Sequence, residues 1–153
     1  MGTYSTFDIC KLFNIPKGRF REWVDQGFVK PSIDQAKGIG TKNIFSRWDL
    51  YGIAIFARAL SSGIDRLTAS FFYDLWIKNT RSLDIEQRFG FKYLLVSIRQ
   101  KHLVDNKPRI EHSKFIKEGK AQDEILEDLE KYDFYHIFSI QRIIAAVDKK
   151  LKG

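Results

Sequence analysis

Between residues 15 and 31 the chain reads IPKGRFREWVDQGFVKP, which sets Lys17, Arg19 and Arg21 at alternate positions around a small apolar stripe. Cationic side chains in such a cluster donate hydrogen bonds to phosphate oxygens, or to the O6 and N7 acceptors of guanine in a major groove. A helix turns about 100° per residue, so Phe20, Trp23 and Val24 fall on one face and would be buried. Gly18, Arg21, Glu22 and Asp25 then face outward. Lys17 lies beside Arg21 because residues four apart share a face, and Arg19 sits on the opposite flank. Gly18 has no side chain and lets backbone approach DNA, while Glu22 is a candidate acceptor for cytosine N4. A solvated charged helix face has the same composition, so this cluster needs a companion before it means nucleic acid.

The companion follows within twenty residues. Lys37, Thr41, Lys42 and Asn43 surround Gly38 and Gly40 in KGIGTKN. Glycines permit a tight tip, and the four side chains suit phosphates or a minor groove. An ordinary exposed turn is the competing account of this segment alone. Tyr4 and the start of the first helix are further candidates for phosphate contact, since helix N-termini attract anions.

Other chemistries find less support. A single cysteine, Cys10, excludes an intrachain disulfide and a cysteine metal cluster, and its apolar neighbours suggest a packed, inert thiol. His102, His112 and His136 are far apart, without carboxylates at ligand spacing, so no metal is expected. KGIGTK lacks the spacing and the following Lys-Ser/Thr of a phosphate-binding loop. No nucleophile elbow or carboxylate pair stands out, so neither catalysis nor a cofactor is expected. The acidic run 123–130 reads as a solvated helix face.

The elements that position these residues follow from caps and periodicity. The chain has 153 residues, 44% of them hydrophobic, enough for one domain or two small ones with a real core. Its formal charge of +7 favours polyanionic partners. No apolar run approaches the ~20 residues that span a bilayer, and the N-terminus lacks a signal-peptide layout, so no membrane is expected and a cytoplasmic, nucleoid-associated location is. Ser5 with Asp8 resembles a capping box, opening a helix that presents Ile9, Leu12 and Phe13. Asn14 and Ile15 leave room for a tight turn, Pro16 suits the first turn of the next helix, and Gly27 suits its stop. Two short helices so joined make a helix-turn-helix. A two-stranded hairpin over roughly 28–33 and 41–45 carries the basic tip. Ser46 and Asp49 repeat the capping box before a helix with Leu50, Ile53, Ala54, Ala57 and Leu60 at helical spacing. Gly63 ends it and Asp65 caps another, whose apolar band runs through Leu67, Phe71, Leu75 and Ile77 or Trp76.

Beyond residue 80 the pattern changes. Segment 91–99 is apolar on both faces, as in a central strand; VDNKP is a turn; 109–117 suits an edge strand. Next come an acidic helix with Ile125, Leu129 and Tyr132 facing in, a third strand in DFYHIFSI, and a closing helix marked by Ile140, Ile143, Ile144, Val147 and Leu151. The expected fold is therefore mostly α with a small sheet: a winged helix-turn-helix domain over 1–80, then an α+β domain over 81–153 for dimerisation or an effector.

The first 70 residues resemble the DNA-binding domain of the MerR family of transcriptional regulators. The resemblance rests on YSTFDICKLFNIPKGRFREWVDQGFVKP, GIGTKNIFSRWDL and LSSGID, in that order, and covers slightly under half of the chain. It implies a bacterial or phage regulator that binds double-stranded DNA as a homodimer, with the second helix and the wing at the DNA. The chain departs from the family where Asn43 stands for the usual Arg, Lys42 for a frequent Tyr, and Arg19 and Glu22 for Thr and Tyr, so the family's base preference does not transfer. Sustained heptads for the family's long dimerisation helix are absent, although Phe71, Phe72 and Trp76 are candidates for a dimer seam. An excisionase-like architectural factor of a mobile element, and a ligand-sensing or protein-interaction module that no longer reads DNA, are the alternatives. The second domain leaves a small-molecule or protein partner open.

Overall fold

The computed structural model describes residues 2–81, 91–98, 110–117, 119–120, 123, 125, 127, 130–131 and 134–153. The expected VDNKP turn, His102, Leu129 and Tyr132 lie outside them. Among the described residues the fold is mostly helical with two small antiparallel sheets, in keeping with the expected mostly-α fold with a small sheet. In chain order the elements are β1 (Thr3–Ser5), α1 (Thr6–Phe13), α2 (Lys17–Asp25), β2 (Ile44–Ser46), α3 (Arg47–Ser61), α4 (Arg66–Arg81), β3 (Phe91–Ile98), β4 (Ile110–Lys117), β5 (Phe134–Ser139) and α5 (Ile140–Lys152). They form two units, one of Met1–Ser82 with Ile143–Gly153 and one of Leu83–Arg142. The first unit thus takes in most of the closing helix, which the sequence places with the second domain.

Local chemistry accounts for the helix ends of the first unit. Ser5 and Ser46 both cap with full capping boxes, their partners being Asp8 and Asp49. Asn14 closes α1 in the left-handed region at φ 53°, which Asn tolerates better than most residues. Pro16 stands one position before its expected place: it is the N-cap of α2, and its carbonyl accepts from Phe20 N at 3.1 Å. Gly27, at φ 74°, ends α2 with a Schellman pair, Phe28 N to Trp23 O at 2.9 Å and Gly27 N to Val24 O at 3.0 Å. Asp65 caps α4 through Thr68 N at 3.0 Å.

The core of this unit is aromatic. Trp23 meets Phe56 edge-on at 4.9 Å, and Phe20 lies between Trp23 and Phe45 at 6.1 and 5.7 Å. Helix α4 packs on α3 through Ala69, Phe72, Tyr73 and Trp76, all buried. The expected band on α4 is thus kept at Trp76 but displaced at its start. Leu67 and Phe71 point to solvent, 66% and 44% exposed, while Phe72 and Trp76 are consumed inside the unit and do not offer a dimer seam. The reason is the close approach at Gly52, where an added Cβ would stand 2.9 Å from the Tyr73 ring and 3.1 Å from Trp76. This approach selects one of two apolar stripes that periodicity leaves equal.

Helix α5 is held to the first unit by polar contacts far apart in sequence. Asp148 Oδ1 accepts from Arg47 Nη2 at 2.8 Å and Tyr51 Oη at 2.6 Å, and Lys150 Nζ donates to Leu12 O at 3.0 Å. Val147 and Ile144 are buried beside them in sequence. Burial pushes the Asp148 carboxyl up, but its bonds to Arg47 and Tyr51 outweigh that and leave it below the usual range. Burial, reinforced by Asp148, raises the Tyr51 phenol well above its ordinary value.

In the second unit β3 is central and β4 and β5 flank it, as the apolar pattern of 91–99 predicts. Leu94 pairs with Phe115 on one side and Phe138 on the other, and Leu94, Leu95 and Ile116 are buried. Ile125 is half-buried.

Candidate nucleic-acid interface

Three segments of the first unit converge on one cleft of about 360 Å³. The start of α1 contributes Ser5, Thr6 and Phe7; α2 contributes Lys17, Arg21, Val24 and Asp25; the loop before β2 contributes Ala36, Thr41, Lys42 and Asn43. Each segment has a reason to be there. Helix α2 is anchored from behind by Phe20 and Trp23, 0% and 4% exposed, which leaves its Lys17–Arg21 side outward. The loop is anchored because β2 is paired in register with β1, Thr3↔Ser46 and Ser5↔Ile44, next to the α1 cap.

That pairing corrects the expected hairpin over 28–33 and 41–45. Between them only an isolated bridge joins Asp34 to Ile44, with Ile44 N to Asp34 O at 2.8 Å. The N-terminal strand takes the place beside β2 instead. The loop cannot stay extended through Gly38 (φ 150°) and Gly40 (φ 86°), and its backbone donors turn to side chains. Thr41 Oγ1 accepts from Lys37 N at 2.8 Å and Gly38 N at 3.0 Å, and donates to Gly38 O at 2.7 Å. Asn43 Oδ1 accepts from Ala36 N at 2.8 Å. Thr41 and Asn43, expected as nucleic-acid contacts, therefore line the cleft while also building the loop that frames it.

The remaining candidates fall around this cleft unevenly. Lys17, Arg21 and Lys42 are exposed on its walls and form no ion pair among the described residues. Three cations then face one acid, Asp25, in a cavity open to solvent, which makes the cleft an anion-attracting surface. Gly18, Arg19 and Lys37 are exposed but outside the cleft lining. Glu22 lies outside the cleft lining and has a partner within the protein. Its carboxylate forms a half-exposed surface ion pair with Arg66 Nη1 at 2.6 Å, which links α2 to the start of α4. Tyr4 sits in β1 opposite Phe45, away from the cleft lining. The start of α1, expected to attract phosphate, already holds the Asp8 carboxylate. Ser5 donates to it from Oγ and N, both at 2.7 Å, and these bonds keep Asp8 below the usual carboxylate range.

Sequence reading missed Phe7. It is 68% exposed on the cleft wall; its place in the first turn of α1, off the Ile9 face, signals exposure but not that this face borders the cleft. Cys10 is half-buried and burial pushes its thiol up, away from the reactive thiolate. Among the described residues no group of three or more His, Cys, Asp or Glu is placed to hold a metal. Nor is any described helix long and apolar enough to cross a membrane.

No protein-family model matches the chain, and no curated protein matches it.

Proposed function

We propose that the protein is a sequence-specific, double-stranded-DNA-binding transcriptional regulator of the kind found in bacteria and phages, resembling the MerR family in its first 70 residues, and acting as a homodimer on the nucleoid. One observation carries the reading. Lys17 and Arg21 of α2 share a cleft with Lys42 of the loop, none is neutralised by a described partner, and the helix behind them is locked by Phe20 and Trp23. A helix entering a major groove needs donors outward and a rigid apolar back, and a flanking loop supplies the neighbouring phosphate contact. Arg21 is assigned to base edges, Lys17 and Lys42 to phosphates. The homodimer belongs to the reading because one small helix-turn-helix makes too few contacts for a specific site.

Selection from random duplex fragments, followed by sequencing, tests this. A motif with two inverted half-sites is expected. Recovery of no motif, with uniformly weak binding, refutes sequence-specific recognition. Recovery of a single unrepeated half-site refutes the homodimer and retains the DNA.

A further inference from the structure

We propose that Ile39 is an apolar wedge, carried by the loop tip into a DNA minor groove, where it unstacks one base step and kinks the duplex. The proposal rests on the DNA-binding reading and adds an activity to it, deformation of the bound site.

Ile39 is fully solvent-exposed, at 108%, the most exposed large hydrophobic residue among those described. Nothing in the fold asks for an apolar side chain there. Its neighbours Gly38 and Gly40 hold backbone angles that side chains resist, and a Cβ added at either would meet nothing within 4 Å. The tip is therefore slim on both flanks, with one branched side chain at its end. It is also pre-organised. Thr41 staples the turn through three side-chain bonds and a fourth from its own N to Gly38 O at 3.2 Å, and Asn43 fastens Ala36 below it. A wedge works only if its mount does not yield, because a floppy tip folds back rather than parting stacked bases.

The charge around the tip identifies the occupant. Lys37 and Lys42 flank Ile39, and no acid occurs from Gln35 to Ile44. An apolar point between cations matches a surface with anions outside and an apolar stack within, which is a nucleic-acid duplex. Architectural proteins insert Ile, Leu, Phe or Met between base steps from the minor groove in this way. An anionic membrane shares part of that chemistry. The duplex is favoured because Thr41, Lys42 and Asn43 continue from the tip directly into the cleft walled by Lys17 and Arg21.

The full chain, Ile39→Ala and Lys42→Ala are compared on the duplex recovered by selection. The bend is read by energy transfer between end labels, and unstacking by 2-aminopurine placed at each step in turn. The native protein is expected to bend the site by about 20–90° and to raise emission at one step. Ile39→Ala, whose lost side chain touches no core, is expected to bind at saturation yet lose most of the bend and the emission rise. Lys42→Ala should need more protein but reach the native bend when saturated. An equal bend by Ile39→Ala overturns the wedge, as does a straight duplex with the native protein. Binding to phosphatidylserine vesicles that depends on Ile39, together with a straight duplex, also overturns it. If selection recovers no duplex at all, the DNA-binding reading falls and takes the wedge with it, whereas a selected but straight duplex sinks the wedge alone.

Discussion

Replacing Lys42 by alanine removes one cation from the cleft and leaves the loop's own fastenings, Thr41 and Asn43, in place. Its effect therefore isolates counterion release. Each phosphate neutralised on B-DNA contributes about 0.9 to the slope of log K against log salt. Lys17 and Lys42 together set a contribution of about 1.8 per bound unit, so raising salt from about 50 to 200 mM weakens binding roughly 12-fold through them. With Lys42→Ala the same change should weaken it only about 3.5-fold through the lysine that remains. In a dimer both exponents double. The assay is a set of fluorescence-anisotropy titrations at four or more salt concentrations, on the selected site and on a scrambled duplex. Lys42→Ala should weaken both duplexes alike and flatten both slopes. Arg21→Ala should behave differently, costing about 1–3 kcal/mol on the selected site with little effect on the scrambled one. The reasoning is refuted if Lys42→Ala leaves the slope unchanged, or if Arg21→Ala weakens both duplexes equally.

Three further outcomes follow from the packing. Gly52→Ala gains about 1 kcal/mol of helix propensity but forces a methyl against two rings that cannot retreat, an overpacking of about 1–3 kcal/mol. Tyr73 is tied to Lys30 O at 2.6 Å and Trp76 to Trp48 O at 3.0 Å. Net destabilisation in urea unfolding is expected, and a stabilised variant would show that α3 and α4 do not approach as described. Trp23→Phe and Trp76→Phe form a second test: Trp23 Nε1 is buried with no acceptor among the described residues, whereas Trp76 Nε1 is bonded. Trp23→Phe discards an unsatisfied donor and should be milder than Trp76→Phe by about 1–3 kcal/mol, and equal losses would contradict the assignment. Asp148 gives the pH dependence. Its carboxyl is held below the usual range when folded, so its stabilisation is present above the unfolded value of about 3.9 and is lost as pH falls through the folded value. Asp148→Asn should therefore lower stability at pH 7 and converge with the native protein in acid, and a gap that stays constant from pH 7 to 3 would exclude the role.

Phe7 shows why part of the cleft was hard to foresee. In sequence it is one aromatic among thirteen phenylalanines, and α1 periodicity says only that it is off the Ile9 face. That this face borders α2 and the loop depends on β1 reaching β2 across forty residues, a pairing with no local signal. The same distance hid Arg66, which pairs with Glu22 at the surface, and Asp148, which brings the last helix back to Arg47 and Tyr51. The first half of the expected α4 band, Leu67 and Phe71, failed for a related reason, while Trp76 holds its place in the core. Two stripes satisfy helical spacing, and the choice between them lies in a glycine on another helix.

By itself the sequence determined what is decided within about four residues: both capping boxes, the left-handed stop at Gly27, the buried stripe of Phe20, Trp23 and Val24, and hence the outward cations of α2. Those features depend on hydrogen bonds and side-chain directions that span one helical turn, so neighbouring residues specify them. Tertiary structure alone decided which cations share a cleft, which carboxylates are already engaged, and that Ile39 stands uncovered at the tip. These are properties of surfaces brought together from distant segments, and burial, unlike a cap, exists only once the other surface has arrived.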